Sequence, residues 1–185
     1  MSRFKEVNHP DDPQLKELYQ DVVQAGWSSS EEGVPTNWFT SQAERPDILA
    51  AGWAFTKGVL MEGQLPFTVK EMIAMVIAKQ SDCRYCTVGH TGALEALGVP
   101  QAVIESCASD PELSELPPPQ RAIIKFGLKA AKDAHSITDD DVQGLRDHGL
   151  SDGEIMEVAM VAACAVLLDI WAEVSSIELE GEEGA

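Results

Sequence analysis

The sequence predicts a compact all-α fold. Apolar residues recur every three or four positions along most of the chain, and no segment keeps the alternation that is typical of a β-strand. The clearest stripe consists of Val69, Met72, Ile73, Val76 and Ile77, which share one side of a helix. The chain has 185 residues, 44% of them hydrophobic, and can bury one core. We therefore expect a single helical domain over residues 1–185.

Turn residues and prolines divide the chain into successive helices. A loop rich in glycine and serine is expected at 26–38, and Pro46 opens the helix that follows it. Residues 46–99 form the core motif region, 117–179 a second helical half, and 180–185 an acidic tail that should fray into solvent. The predicted helices cover 13–25, 46–60, 65–80, 83–97, 99–108, 119–134, 138–148 and 152–178.

Several helix ends carry capping signals. Ser81 or Asp82 is expected to cap the helix that begins at Cys83, and Gly98 suits the left-handed position at its end. The last two helices should open with capping boxes, which are Thr138-x-x-Asp141 and Ser151-x-x-Glu154.

The charge balance excludes two kinds of partner. Asp and Glu total 31 against 13 Lys and Arg, a net charge of −18, so nucleic acid and an anionic membrane would both be repelled. The longest uncharged apolar run, 158–168, is about half of the ~20 residues of a membrane span, and the first residues lack the apolar stretch of a signal peptide. We expect a cytoplasmic protein that binds neither nucleic acid nor membrane.

Two of the four cysteines are paired at a meaningful spacing. Cys107 and Cys164 stand alone in apolar helical contexts, where a buried cysteine acts as a small hydrophobic side chain. Cys83 and Cys86 form a CxxC pair, which in a reducing compartment indicates catalysis or metal binding rather than a structural disulfide.

Helical geometry places a histidine beside this pair. At about 100° per residue, Cys83, Cys86 and His90 share one face, and Leu94 and Leu97 continue that face toward the core. The start of a helix favours a thiolate, and an imidazole within reach can take the thiol proton.

The preceding helix adds a carboxylate. Glu71 lies in a helix that is apolar nearly all round and should be buried, so it can orient His90 or carry a proton. Two other interpretations remain open. Thr68-x-x-Glu71 is also a capping box. Cys83, Cys86, His90 and Glu71 could bind zinc, although structural zinc sites usually combine ligand pairs from separate turns.

The pattern Glu71-x11-Cys83-x2-Cys86-x3-His90 resembles the alkylhydroperoxidase D-like branch of the carboxymuconolactone decarboxylase family. The resemblance is clearest over 46–99. It implies an all-α fold of the alkylhydroperoxidase D-like type, a homo-oligomer that is a trimer or hexamer, and an antioxidant thiol peroxidase that needs no flavin, haem or metal. Tyr85 departs from the pattern, because the best-known peroxidases of this branch have a histidine there.

The resemblance also implies the roles of the residues. Cys86 would attack a small hydroperoxide, Cys83 would supply a proton and then resolve the sulfenic acid as a disulfide, and His90 with Glu71 would relay protons. A dithiol donor, either a lipoyl-bearing or a thioredoxin-like protein, would then reduce the disulfide. The alternatives are a general thiol–disulfide oxidoreductase and a redox-sensing oligomeric protein without peroxide turnover.

Overall fold

The structure is a computed structural model, and it describes residues 2–29, 31–110 and 115–182. Within these ranges the regular elements are all helical, apart from one isolated bridge between Ser28 and Pro35. The predicted all-α fold is confirmed. The α-helices are α1 (Pro13–Gln24), α2 (Asn37–Thr40), α3 (Pro46–Thr56), α4 (Phe67–Gln80), α5 (Arg84–Ala96), α6 (Gln101–Ser109), α7 (Pro118–Lys132), α8 (Asp139–Asp147) and α9 (Asp152–Ser175). A π-helical turn, Lys57–Met61, follows α3, and a short 3₁₀ segment, Ala134–Ser136, follows α7.

The chain forms two compact units. One contains Lys57–Asp169, and the other joins Met1–Thr56 to Ile170–Ala185. All four predicted site residues lie in the first of these units. That residues 1–185 form one domain stays a prediction.

Helix α4 is the core of the Lys57–Asp169 unit. Every residue from Val69 to Ala78 is buried, as expected for a helix that is apolar on all sides, and α5, α6 and α7 all contact it. On α7, a Cβ at Gly127 would lie 2.9 Å from Cγ2 of Ile73. The close approach of α4 and α7 therefore requires glycine at this position.

A partly buried ion pair anchors the start of α4. The ammonium group of Lys70, 1% exposed, contacts the carboxylate of Glu157 on α9. The same ammonium donates to the carbonyl oxygen of Val59 at 2.9 Å and to that of Glu62. Glu157 in turn accepts the backbone N–H groups of Gln64, at 2.9 Å, and Leu65. The pair therefore fastens the loop before α4 to α9.

In the other unit the N-terminal segment is bonded to the end of α9. The backbone N–H of Arg3 donates to the carbonyl oxygen of Ser175 at 2.8 Å, and its guanidinium donates to the carbonyl oxygens of Glu173 and Val174. Close to α2 and α3, an aromatic cluster packs mainly edge to face, and its rings belong to Trp27, Trp38, Phe39 and Trp53.

The expectation that the acidic tail 180–185 frays is wrong for its first part. The carboxylate of Glu180 accepts the backbone N–H of Asn37 at 2.9 Å, and the carbonyl of Glu178 accepts the Asn37 side-chain amide at 3.1 Å. These bonds hold the segment against the start of α2, where free N–H groups need acceptors. Residues 183–185 lie outside the described residues.

Most predicted helix ends are confirmed. Both capping boxes form, with reciprocal bonds between Thr138 and Asp141 and between Ser151 and Glu154. Gly98 has φ 77° and directly follows Leu97, the C-cap of α5, which is the left-handed position predicted for it.

Helix α9 is the longest of the described helices. By length and composition it could cross a membrane, with a mean hydropathy of 2.0 over its most apolar window, half of which is buried inside the fold. The core helix of a soluble domain has the same properties. Its outer side exposes several large apolar side chains, among them Met156 and Met160.

Candidate functional site

The dithiol sits where α4 ends and α5 begins. Asp82 adopts the left-handed conformation, with φ 57°, and Cys83 is the N-cap of α5. The Cys83 sulfur accepts the backbone N–H of Cys86 at 3.5 Å. The prediction that Ser81 or Asp82 caps α5 is therefore wrong. Ser81 instead ends α4, and its hydroxyl donates to Asp169 at 2.5 Å.

The predicted common face of α5 is confirmed. Cys83, Cys86, His90 and Leu94 are all buried, between 0% and 5% exposed. Leu97 was expected to continue this face but is 44% exposed, because α5 ends at Ala96 and the chain turns away there. All four cysteines are free thiols, and Cys107 and Cys164 are buried as predicted.

Glu71 reaches the site from α4 and pairs with His90. Its carboxylate Oε2 lies 2.8 Å from His90 Nδ1, and both side chains are buried. The capping-box interpretation of Thr68-x-x-Glu71 is wrong, because Pro66 is the N-cap of α4 and no side chain caps that helix. Burial lowers the pKa of His90, but the charge and hydrogen bond of Glu71, together with the charge of Asp169, outweigh it and raise the pKa. Nε2 is then the ring nitrogen that remains for proton exchange.

Asp169, on α9, is the site residue that sequence reasoning missed. It is 5% exposed, and one of its carboxylate oxygens and the sulfurs of Cys83 and Cys86 all lie within 4.8 Å of one another. Burial raises the pKa of this carboxyl against the opposing effects of hydrogen bonds with Ser81, Cys86 and Cys83 and of the charge of His90. Spacing along the sequence could not find Asp169, because 83 positions separate it from Cys86 (169 minus 86). A usable signal exists, since it is the only charged residue between Glu157 and Glu173 in an apolar helix.

The environment of Cys86 does not favour its thiolate. Hydrogen bonding with Cys83, burial and the negative charge of Asp169 all raise the pKa of the Cys86 thiol. These three effects oppose the attraction of the helix dipole, which was expected to favour the thiolate. In the reduced site, Cys86 therefore keeps its proton until another group removes it.

The predicted zinc ligands are only partly brought together. Among the described residues, the group with the spacing of metal ligands consists of Cys83, Cys86 and Asp169. Glu71 and His90 are outside this group, and they bond to each other. The four predicted residues thus form two groups, the Cys83–Cys86 dithiol and the His90–Glu71 pair. The carboxylate of Asp169 lies close to the dithiol.

The chain has an all-α fold of the alkylhydroperoxidase D-like type, and this fold carries a buried CxxC dithiol. Residues 46–110 match the model of the carboxymuconolactone decarboxylase family. The resemblance to the carboxymuconolactone decarboxylase family that the sequence predicted is confirmed over these residues. A comparison with curated protein sequences gave no significant match.

Solved structures extend the likeness to nearly the whole chain. A peroxidase-related protein with an alkylhydroperoxidase D core from Ralstonia eutropha JMP134 is 26% identical, with a TM-score of 0.83, over 98% of this chain and 93% of its own. A peroxidase-related protein from Silicibacter sp. TM1040 is 25% identical, with a TM-score of 0.80, over 98% and 96%. The debrominase Bmp8, solved with 2,3,4-tribromopyrrole, is 17% identical, with a TM-score of 0.79, over 98% and 93%. The likeness to Bmp8 concerns the fold alone. The name debrominase indicates that this fold serves more than one enzyme chemistry.

Proposed function

We propose that this protein is a cofactor-free hydroperoxide reductase that works through the Cys83–Cys86 dithiol in an antioxidant role. The observation that carries the proposal is the buried His90, 2.8 Å from the carboxylate of Glu71, on the same helix face as two free thiols. A histidine that is held by a carboxylate on the face of a dithiol can move protons during thiol chemistry. The likeness to two peroxidase-related proteins over nearly the whole chain supports the same reaction class.

In the first step the sulfur of Cys86 attacks the terminal oxygen of ROOH. The O–O bond breaks, Cys86 becomes a sulfenic acid, and the thiol proton ends on the alkoxide, which leaves as ROH. In the second step Cys83 attacks the sulfenic sulfur. A disulfide forms, and the hydroxyl leaves as water with the proton of Cys83. His90, held by Glu71, supplies and accepts protons around this step.

The cycle closes when an external dithiol reduces the Cys83–Cys86 disulfide. A lipoyl-bearing or thioredoxin-like protein is the donor that the family resemblance suggests. The resemblance also suggests a homo-oligomer, a trimer or hexamer, in the cytoplasm, and the exposed Met156 and Met160 on α9 are compatible with contact between copies. Native mass measurement tests the oligomer directly.

Trapping the oxidised cysteine tests the mechanism most sharply. The reduced protein receives one equivalent of cumene hydroperoxide together with a sulfenic-acid probe, and mass spectrometry locates the adduct. We expect the adduct on Cys86, and we expect it to accumulate in Cys83→Ser, which cannot form the disulfide. Cys86→Ser should lose dithiol-dependent hydroperoxide consumption completely, whereas Cys107→Ser, which lies outside the site, should retain it.

Other results would assign another function. An adduct confined to Cys83 would reverse the two cysteine roles. Disulfide reduction without peroxide consumption would favour a general thiol–disulfide oxidoreductase. If oxidation changes only the native mass and nothing turns over, the protein is a redox sensor. Stoichiometric zinc, removed by a chelator with loss of helicity, would contradict the redox assignment.

A further inference from the structure

The carboxylate of Asp169 lies beside the dithiol, and one of its oxygens has no hydrogen-bond partner among the described residues. Oδ2 accepts the hydroxyl of Ser81 at 2.5 Å. Oδ1 is buried and has no hydrogen-bond partner within the part of the chain that the structure describes. Buried polar atoms are nearly always paired, so an unpaired one calls for an explanation other than stability. A group that must accept a proton during a reaction is such an explanation.

The neighbours of Asp169 leave it as the available proton acceptor. The groups that face it are Ser81 at the end of α4 and the side chains of Cys83, Cys86 and His90 on α5, with Glu71 behind His90. Ser81 is occupied as a donor. His90 is bonded to Glu71 and tends to hold its proton, which makes it a better donor than acceptor. The remaining basic group beside the sulfur of Cys86 is the carboxylate of Asp169.

We propose that Asp169 transfers the proton in the peroxide step, taking it from the sulfur of Cys86 and returning it to the alkoxide oxygen that leaves. This rests on the proposed function. As the S–O bond forms and the O–O bond breaks, the thiol proton moves to the carboxylate and then to RO⁻, so that ROH departs and Asp169 is again ionised. The buried pocket holds one negative charge at every stage, first on Asp169, then on the sulfur of Cys86, then on the leaving alkoxide and finally on Asp169 again. Two adjacent anions in a low-dielectric environment are thereby avoided.

Reaction of Cys86 with two different electrophiles distinguishes proton transfer by Asp169 from a purely electrostatic effect of its charge. Cumene hydroperoxide releases a basic alkoxide that needs a proton, whereas iodoacetamide releases iodide, which needs none. The Asp169→Asn variant keeps the size of the side chain but cannot carry the proton. We expect its peroxide rate constant to fall roughly 100-fold, within the usual range for a lost general acid–base group. We expect its Cys86 alkylation at neutral pH to become faster, with the pH profile displaced to lower pH, because the nearby negative charge is gone.

Each other pattern overturns the proposal. If both rates rise, Asp169 only repels the thiolate. If both fall together with the circular dichroism and melting temperature, its role is structural. Asp169→Glu retains a carboxylate and should recover part of the peroxide rate. Ser81→Ala leaves the carboxylate in place and should change the peroxide rate much less than Asp169→Asn does.

The same variants distinguish failure of this inference from failure of the proposed function. If the wild type consumes no hydroperoxide, the proposed function is wrong. Glutathione disulfide, whose leaving thiolate is basic, then replaces the hydroperoxide, and an aromatic disulfide with a weakly basic leaving group serves as its control. Proton transfer by Asp169 still predicts that Asp169→Asn slows the reaction with glutathione disulfide and not the reaction with the aromatic disulfide. Equal effects on the two reactions would overturn the proposed proton transfer.

Discussion

Two consecutive residues of α4, Lys70 and Glu71, are both buried, and each pairs with an oppositely charged or chargeable group. Lys70 contacts Glu157, and Glu71 contacts His90 at 2.8 Å. The Lys70 pair is saturated, because its ammonium also binds two carbonyl oxygens and the carboxylate of Glu157 also accepts backbone N–H groups. In the Glu71 pair, Nδ1 of His90 is bonded to the carboxylate, and Nε2 remains for proton exchange.

This difference indicates how to separate a structural ion pair from a chemical one. Burial and opposite charge are common to both pairs and do not distinguish them. The two pairs differ in whether all their hydrogen-bond donors and acceptors are already used by the fold. A group whose donors and acceptors are all used cannot accept or release a proton during a reaction. Lys70 and Glu157 therefore hold a loop, and Glu71 and His90 can take part in a reaction.

The largest effect is expected from breaking the saturated pair. Lys70→Met leaves Glu157 without its cation, and the free energy of unfolding should fall by about 3–5 kcal/mol. Urea denaturation measures this loss, and hydroperoxide reduction by the protein that remains folded should be nearly unchanged. The double variant Lys70→Met/Glu157→Gln removes the orphaned charge but keeps an acceptor for the loop, so it should recover most of the stability. A loss below 1 kcal/mol in the single variant would mean that the pair is not structural.

The second largest effect is expected from a change in the Glu71–His90 pair, and it should reduce activity rather than stability. Glu71→Gln keeps a side chain of the same size that can bond to His90 but removes the charge that orients and supports the imidazolium. We expect kcat/KM for hydroperoxide reduction to fall by roughly 10- to 100-fold, with a much smaller change in stability than Lys70→Met produces. Steady-state kinetics and denaturation of the two variants, measured together, give opposite patterns if the comparison is correct. A Glu71→Gln protein that loses stability and keeps activity would contradict it.

The pH dependence of the two pairs should have opposite signs. The pKa of Glu157 is lowered overall. Burial raises it, but the bonds to Lys70 and to the backbone of Gln64 and Leu65 lower it by more. A lowered carboxyl pKa contributes stability above the ordinary value of about 4.3 that is lost as the pH falls through the folded-state value. The raised pKa of His90 contributes stability below about 6.5 that is lost as the pH rises through its folded-state value.

Denaturation at several pH values measures these slopes. The stability difference between wild type and Glu157→Gln should disappear in acid. The difference between wild type and His90→Gln should shrink at alkaline pH. Parallel slopes for the two variants would show that the pairs are not electrostatically distinct.

The smallest effect tests the loop that Lys70 and Glu157 hold. Gly63 has φ 102°, and a Cβ there would overlap the carboxylate of Glu157. Gly63→Ala should therefore reduce stability by about 1 kcal/mol or more, since both the backbone and the carboxylate must adjust. Gly92→Ala is the matched control, because this helical glycine has open space around its Cβ position and should gain up to about 1 kcal/mol. Equal effects at both glycines would mean that the loop is not held tightly.

Much of the fold could be predicted because its signals are local. The helical stripe of α4, the capping boxes at Thr138 and Ser151 and the left-handed Gly98 each depend on residues within about one or two turns. The predicted N-cap of α5 failed for a tertiary reason. The hydroxyl of Ser81 is bonded to Asp169, which lies far away in sequence, and this leaves Cys83 to cap the helix.

The sequence by itself determined most of the helices, although α2 (Asn37–Thr40) was missed at the end of the predicted loop 26–38. It also determined the shared face of Cys83, Cys86 and His90 and the neighbouring carboxylate of Glu71, because helix geometry fixes those relations from spacing. Only the tertiary structure decided what surrounds the dithiol. It brought Asp169 from α9 to within 4.8 Å of both sulfurs and gave Cys86 a raised pKa in place of the expected stabilised thiolate. The physical reason is that charge and desolvation act through space, and which groups share a buried pocket depends on the packing of helices that are distant in the chain.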